Sequence, residues 1–202
     1  MNIEHPYWYF DSVISPEKCN EIINLGLSKA KIAAEVNTGS KDKSKITMLN
    51  KNIRSSKVAW VNDKWIFKLI HPYIHAANKN AGWNFQWEFS EPCQFTEYSI
   101  GQYYGWHCDS PMKPYNWPAN PRHGKIRKLS MTLTLSDKDE YEGGDLEFDY
   151  KSTKGKAMPI IDAMRNKGSL IVFPSFVWHR VTEVKIGKRH SLVCWNLGNP
   201  YR

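Results

Sequence analysis

From Trp83 to Arg202 the chain breaks into short β-rich runs separated by turn residues, and this punctuation restricts the fold more than any other feature. Phe95–Ser99, Ser130–Leu135, Asp145–Tyr150, Ser169–Phe173, Trp178–Val184 and Arg189–Leu197 are such runs, bounded by Gly, Pro, Asn and Asp. In the second, Met131, Leu133 and Leu135 alternate with Thr132 and Thr134, so one face of that strand is expected to be buried. Gly143-Gly144 marks a tight turn between two of the strands. Many short strands in succession predict a mainly β fold, a sandwich or jelly roll, with N-terminal helices on one side.

The N-terminal part has a different texture. Ser15-Pro16-Glu17 offers a cap hydroxyl, a proline at the first helical position and an acid in the first turn. Cys19, Ile22, Ile23 and Leu27 then supply an apolar stripe. A second helix is expected over Asn62–Asn80, where Trp65, Ile66, Leu69, Ile70, Tyr73 and Ile74 recur at helical spacing. Pro72 inside it should kink or split it, and Gly82 suits its stop. The lysine-rich stretch Asn37–Lys51 is expected to be a mobile loop. With no repeat and no linker, the 202 residues predict one domain, 1–82 as a helical support region and 83–202 as a jelly-roll core. Between the strands, Ser110–Lys128 carries Pro111, Pro114, Pro118 and Pro121 around Tyr115 and Trp117, and a loop of that length predicts a substrate-facing lid.

Composition narrows the function. An apolar content of 41%, with nine Trp and ten Tyr, is enough for a core and excludes a disordered chain. No stretch approaches the ~20 apolar residues of a membrane span. The opening residues lack the basic start and apolar run of a signal peptide, so a cytoplasmic protein is expected. Cys19, Cys93, Cys108 and Cys194 lie far apart with no C-x-x-C pair, which argues against a zinc cluster and for reduced thiols. The net charge of +8 permits a nucleic-acid partner or an acidic substrate. Much of the excess sits in a few polar stretches, above all Lys41–Arg54, with no nucleic-acid motif, so a solvated basic loop is favoured.

His107-Cys108-Asp109 places an imidazole and a carboxylate two residues apart, on one face of an extended segment, with Cys108 on the other. By itself the pair arises by chance in roughly a third of chains with this composition. His179, just past a strand end, and Arg189, ten residues on, give it context. Two imidazoles and one carboxylate are the set that holds non-haem Fe(II) on one face and leaves the other positions open. Arg189 is then a candidate anchor for an anionic co-substrate. His5, His71, His75 and His123 are read as packed or exposed side chains.

Gln94 to Gly101 followed by His107-Cys108-Asp109 resembles the opening Tyr-x-x-Gly…His-x-Asp pattern of the prolyl 4-hydroxylase-like 2-oxoglutarate/Fe(II) dioxygenases. Tyr141 to Phe148 is similar to that family's Gly-Gly turn and next strand. Phe173 to His179, then Arg189 to Trp195, resembles its distal half, and Ser15 to Ile23 its opening helix. The resemblance implies a double-stranded β-helix (jelly roll, cupin-like) with Fe(II) on His107, Asp109 and His179. It also implies 2-oxoglutarate chelated to the iron, its distal carboxylate on Arg189 and a contact to Tyr98. The family's collagen-type members usually carry Lys where Arg189 stands. The implied reaction consumes O2 and 2-oxoglutarate, releases succinate and CO2, and hydroxylates a C–H bond, with ascorbate in support. Because Asp109 is present, hydroxylation is expected over halogenation. Prolyl hydroxylation of a peptide or protein, or of a free prolyl residue, is the substrate reading. Trp106, Tyr115, Trp117 and Trp195 are candidate substrate contacts, with Trp178 also flanking the constellation.

Three other readings are open to these residues. A nucleic-acid oxidative demethylase shares the iron chemistry and suits the basic charge, but such enzymes carry a second Arg shortly after the co-substrate Arg, where this chain has Cys194 and Trp195. A metal-free β-sandwich binding module through its aromatics predicts that alanine at His107 or His179 leaves function intact. A cupin-like Zn or Mn protein has the same ligand types, and Arg189 is what argues for an acidic co-substrate.

Overall fold

The computed structural model describes residues 3–29, 32–33, 54–111, 113–149 and 162–201. The expected loop Asn37–Lys51, and nearly all of the basic stretch Lys41–Arg54, lie outside them. Two helices are described, α1 (Pro16–Ser28) and α2 (Lys64–Asn80). The strands are β1 (Trp8–Phe10), β2 (Ile32–Ala33), β3 (Arg54–Ser55), β4 (Lys57–Val61), β5 (Phe89–Ser90), β6 (Cys93–Tyr98), β7 (Tyr103–His107), β8 (Ile126–Thr134), β9 (Tyr141–Gly143), β10 (Leu146–Asp149), β11 (Leu170–Pro174), β12 (Trp178–Val181), β13 (Val184–Gly187) and β14 (Arg189–Gly198).

The strands form two main antiparallel sheets. The major one runs β1-β11-β8-β14-β6-β4-β2, with β5 beside β14. The minor one runs β10-β12-β7-β3, and β13-β9 form a separate pair. The fold is the double-stranded β-helix, its inner faces joined by Phe148, Ile171, Phe173 and Val177 at one end and by Tyr98, Val181 and Val184 at the other. Strands β1 and β4, from the part read as helical support, belong to the major sheet.

Both helices pack on the outer face of that sheet. Ser15 caps α1 with its hydroxyl, which accepts from the Lys18 N–H, and Pro16 follows at the first turn. Ile66, Ile70, Ile74 and Ala77 of α2 are fully buried against Phe95, Leu129, Met131, Leu133 and Leu192. Pro72, expected to kink or split α2, does not split it; the helix runs unbroken past it. A proline inside a helix costs about 3 kcal/mol, and burying several large side chains at roughly 1.5–3 kcal/mol each outweighs it.

The alternation in β8 has a fuller meaning than one buried face. Leu129, Met131 and Leu133 face the helices, while Ser130, Thr132 and Thr134 on the opposite side are also buried. That second face is polar because it lines a cavity between the sheets. The same division runs along β14, where Arg189, Ser191, Val193 and Trp195 look inward. The run Trp178–Val184 is two strands rather than one, β12 and β13, which pair with different partners.

Candidate active site

His179 on β12 and His107 on β7 are paired in register across the minor sheet. Asp109 lies beyond the end of β7, so strand alternation does not aim it. Its N–H and that of Ser110 both donate to the Ser175 carbonyl, each at 2.8 Å, which turns the chain toward the sheet interior. Cys108 stays out of the cluster, its thiol directed to the Ser110 carbonyl at 3.7 Å.

The result is a convergent donor set. Asp109 Oδ1 is 3.8 Å from His107 Nε2 and Asp109 Oδ2 is 3.6 Å from His179 Nε2, all candidate ligand atoms lying within 4.8 Å of one another. Each imidazole has its other nitrogen at a backbone carbonyl, His107 Nδ1 at Gly105 O (2.8 Å) and His179 Nδ1 at Val177 O (3.0 Å). A carbonyl only accepts, so Nδ1 carries the proton and Nε2 presents its lone pair to the centre. The rings are held by packing as well: Tyr104 stacks on His107 at 3.6 Å between centroids, and Phe173 meets His179 edge-on at 4.7 Å.

Asp109 is kept ready to bind a cation. Burial opposes its ionisation, but the imidazoles of His179 and His107, the Arg127 guanidinium and a hydrogen bond from Ser130 together hold its carboxyl below the usual range. The Ser130 hydroxyl donates to Asp109 Oδ2 at 2.7 Å and lies 2.9 Å from Ser175 Oγ. Neither serine carries a motif, although Ser130 is a polar member of an alternating strand, and that position is the signal that could have found it.

Arg189 opens β14 opposite Tyr98 of β6, and both line the cavity. The residue is 3% exposed, and its guanidinium sits 5.7 Å from the Tyr98 ring centroid and donates to Ser191 Oγ at 3.3 Å. Among the described residues no carboxylate pairs with it. The Gly143-Gly144 turn makes room for it: Gly144 has φ +63, and a Cβ there would lie 2.9 Å from Arg189 Cδ. Gln94, Thr132, Leu146 and Val193 complete the wall and were not singled out from sequence.

The four candidate substrate contacts separate. Trp195 lines the cavity. Trp106 lies outside the lining residues, under the Arg180 guanidinium at 4.8 Å. Tyr115 and Trp117 are also outside it, stacked on each other at 4.8 Å in the segment after Asp109. That segment is pinned rather than loose: Tyr115 and Gly124 N–H groups donate to Lys125 and Tyr115 carbonyls, and Arg122 reaches Glu91 at 3.2 Å. Trp178 is 46% exposed and points away from the centre.

A sheet interior with two imidazoles, one carboxylate and a buried guanidinium is matched by one family model. The model of the 2OG-Fe(II) oxygenase superfamily covers residues 93–196. The chain belongs to the 2OG-Fe(II) oxygenase superfamily. This oxygenase-superfamily chain is 37% identical over 99 residues to a PKHD-type hydroxylase of Synechococcus sp. (strain CC9605), a match covering 48% of this chain and 37% of the relative. It is 37% identical over 105 residues to one of Alteromonas mediterranea, covering 52% and 42%. The matched stretch is thus less than half the length of these relatives. Among solved structures, a viral collagen prolyl hydroxylase from Paramecium Bursaria Chlorella virus-1 aligns with TM-score 0.66 at 18% identity over 96% of this chain and 97% of that one. A Trichoplax adhaerens prolyl hydroxylase in complex with a hypoxia inducible factor peptide fragment aligns with TM-score 0.69 at 16% identity, covering 96% and 84%. These similarities bear on the fold.

Proposed function

We propose that this chain is a 2-oxoglutarate- and O2-dependent Fe(II) hydroxylase, acting on a prolyl residue of a peptide or protein. The observation that carries the reading is Arg189, a residue only 3% exposed whose guanidinium has no carboxylate partner among the described residues and which lines the same cavity as the His-Asp-His cluster. A buried charge without a counter-charge is costly, so the site calls for an anion. The distal carboxylate of 2-oxoglutarate supplies one in the planar form that a guanidinium binds with two hydrogen bonds.

His107 and His179 would ligate through Nε2 and Asp109 through its carboxylate. The donor set suits Fe(II), because two neutral imidazoles and one carboxylate bind it while leaving neighbouring positions for a chelating co-substrate and O2. Bound iron, 2-oxoglutarate and O2 together supply the oxidant that hydroxylates an unactivated C–H bond, with succinate and CO2 released. The protein's own part is positional. Gly105 and Val177 carbonyls fix the imidazole tautomers, Ser130 orients Asp109, Ser191 orients Arg189, and Tyr98 would face the co-substrate carboxylate. Placement between two sheets keeps bulk water from these groups.

The prolyl part of the reading is supported by the prolyl hydroxylases of like fold and the PKHD-type hydroxylases of like sequence. No helix among the described residues is long and apolar enough to cross a membrane. The test is incubation with Fe(II), ascorbate, 2-oxoglutarate and O2, measuring succinate with and without proline-rich peptides. Peptide-stimulated succinate supports the reading. No succinate with no iron bound refutes the enzyme reading, and turnover that requires an oligonucleotide replaces the prolyl substrate with a nucleic acid.

A further inference from the structure

Helix α2 turns a single sign of charge toward solvent. Its exposed positions Lys64, Lys68, Pro72, His75 and Lys79 recur every three or four residues and so share one face. From Lys64 to Lys79 that face runs about 22 Å at ~1.5 Å per residue. No Asp or Glu stands anywhere in the helix. The carboxylates at its flank are already taken: Asp63 lies 3.5 Å from Lys29, and Glu21 of α1 lies 2.7 Å from Lys18. Among the described residues Lys64, Lys68 and Lys79 have no carboxylate within ion-pair distance, whereas Lys57, Lys125 and Lys138 elsewhere in the fold each have one. Lys64 and Lys68, one turn apart, repel each other, and an anion laid along the helix relieves that repulsion.

Beside the stripe lies a groove between the two helices. Trp65 and Leu69 of α2 line it together with Lys18, Glu21 and Lys68, around a cavity of about 420 Å³. Trp65 is half-buried there, with the Lys18 ammonium 5.3 Å from its ring centroid. Further along the helix the His75 ring stacks on Trp87 at 4.8 Å. Aromatic surface therefore accompanies the cations at both ends of the stripe.

We propose that this face of α2, with the groove toward α1, docks single-stranded nucleic acid. Lys64, Lys68 and Lys79 contact phosphates along the strand, and a splayed base enters the groove to stack on Trp65. A duplex keeps its bases paired inside, so only a single strand supplies one to the groove. A lipid surface is the poorer fit, because a helix lying on it must sink an apolar face into the acyl boundary. The apolar stripe of α2, with Ile66, Ile70 and Ile74, is spent on the major sheet. The His-Asp-His cavity lies on the inner side of that sheet and the helices on the outer side, so the docked strand is a tether and not the group to be oxidised. The proposal stands independently of the hydroxylase reading.

The probe is a fluorescein-labelled twenty-nucleotide oligo-dT, its binding to the full chain followed by anisotropy across a KCl series. Three phosphate contacts predict that the triple variant Lys64→Gln, Lys68→Gln, Lys79→Gln lowers the slope of log K against log [KCl] by about 2 in magnitude. Its affinity at low salt is expected to fall about tenfold or more, with the melting temperature unchanged. Trp65→Leu keeps apolar bulk and should weaken binding about 5- to 100-fold through the lost stacking. Equal affinity in Trp65→Leu overturns the base-stacking groove. An unaltered protein that does not bind oligo-dT, or a triple variant with unchanged affinity and slope, overturns the docking face. Binding to phosphatidylserine vesicles without oligo-dT binding, or displacement of oligo-dT by poly-glutamate at equal charge, overturns it in favour of a membrane or an acidic protein. Loss of oligo-dT binding in His179→Ala overturns it as well, by placing the strand in the cavity. Failure of the hydroxylase reading shows separately, as no succinate, and leaves oligo-dT binding as it is.

Discussion

Arg189→Met should produce two effects of opposite sign. The residue is 3% exposed, and its guanidinium has one hydroxyl acceptor, Ser191 Oγ at 3.3 Å, and the Tyr98 ring at 5.7 Å among the described residues. Methionine replaces the aliphatic stem beside Gly144 and removes the charge. Replacing buried charged groups with apolar ones of similar size is often neutral or stabilising by about 1–4 kcal/mol, so the ligand-free variant should melt at or above the temperature of the unaltered chain. Co-substrate binding should collapse, because two charge-assisted hydrogen bonds at roughly 1.5–3 kcal/mol each are lost. In thermal-shift measurements with Mn(II), 2-oxoglutarate at 100 times its dissociation constant should stabilise the unaltered chain by about 2.7 kcal/mol. For a chain of this size that is a rise of about 5–10 °C, and it should vanish in the variant. A variant that keeps the 2-oxoglutarate shift, or that loses several kcal/mol without ligand, refutes the reasoning about Arg189.

Three further outcomes are expected. Ser130→Ala removes the 2.7 Å hydrogen bond to Asp109 and should lower metal affinity by about 10- to 100-fold, measured by competition with a chelator. Ile70→Ala empties a fully buried position under the major sheet and should cost about 2–5 kcal/mol in denaturant unfolding, whereas Ile100→Ala, 67% exposed, should change stability by under about 0.5 kcal/mol. Burial pushes the Cys19 thiol up to about 11. Its folded pKa lies above the unfolded one, so its contribution is complete below pH ~9 and is lost as the pH rises through the folded value. Stability should therefore fall by up to about 2 kcal/mol between pH ~9 and ~11, a loss absent in Cys19→Ser.

The architecture was legible because many short strands bounded by turn residues follow one another, with β8 alternating between its two faces. His107, His179 and Arg189 were legible because distinctive side chains recur at strand ends. What the sequence could not reveal depends on partners distant in the chain. Asp109 owes its direction to the Ser175 carbonyl and its hydrogen bond to Ser130, and no local pattern links those three residues. That α2 continues past Pro72 instead of splitting there depends on its buried stripe, to which local propensity is blind. Trp106, Tyr115 and Trp117 were grouped with Trp195 by closeness in sequence to the ligands, yet only Trp195 lines the cavity, because neighbouring strand residues face opposite ways and Tyr115 and Trp117 follow a pinned turn.

The central claim is that His107, Asp109 and His179 hold Fe(II) in a form that chelates 2-oxoglutarate. Anaerobic addition of both to the protein should give a visible charge-transfer absorption that neither gives alone, that fades on admitting O2 and that is missing in His179→Ala. Absence of that absorption in the unaltered protein, or its persistence in His179→Ala, would contradict the account.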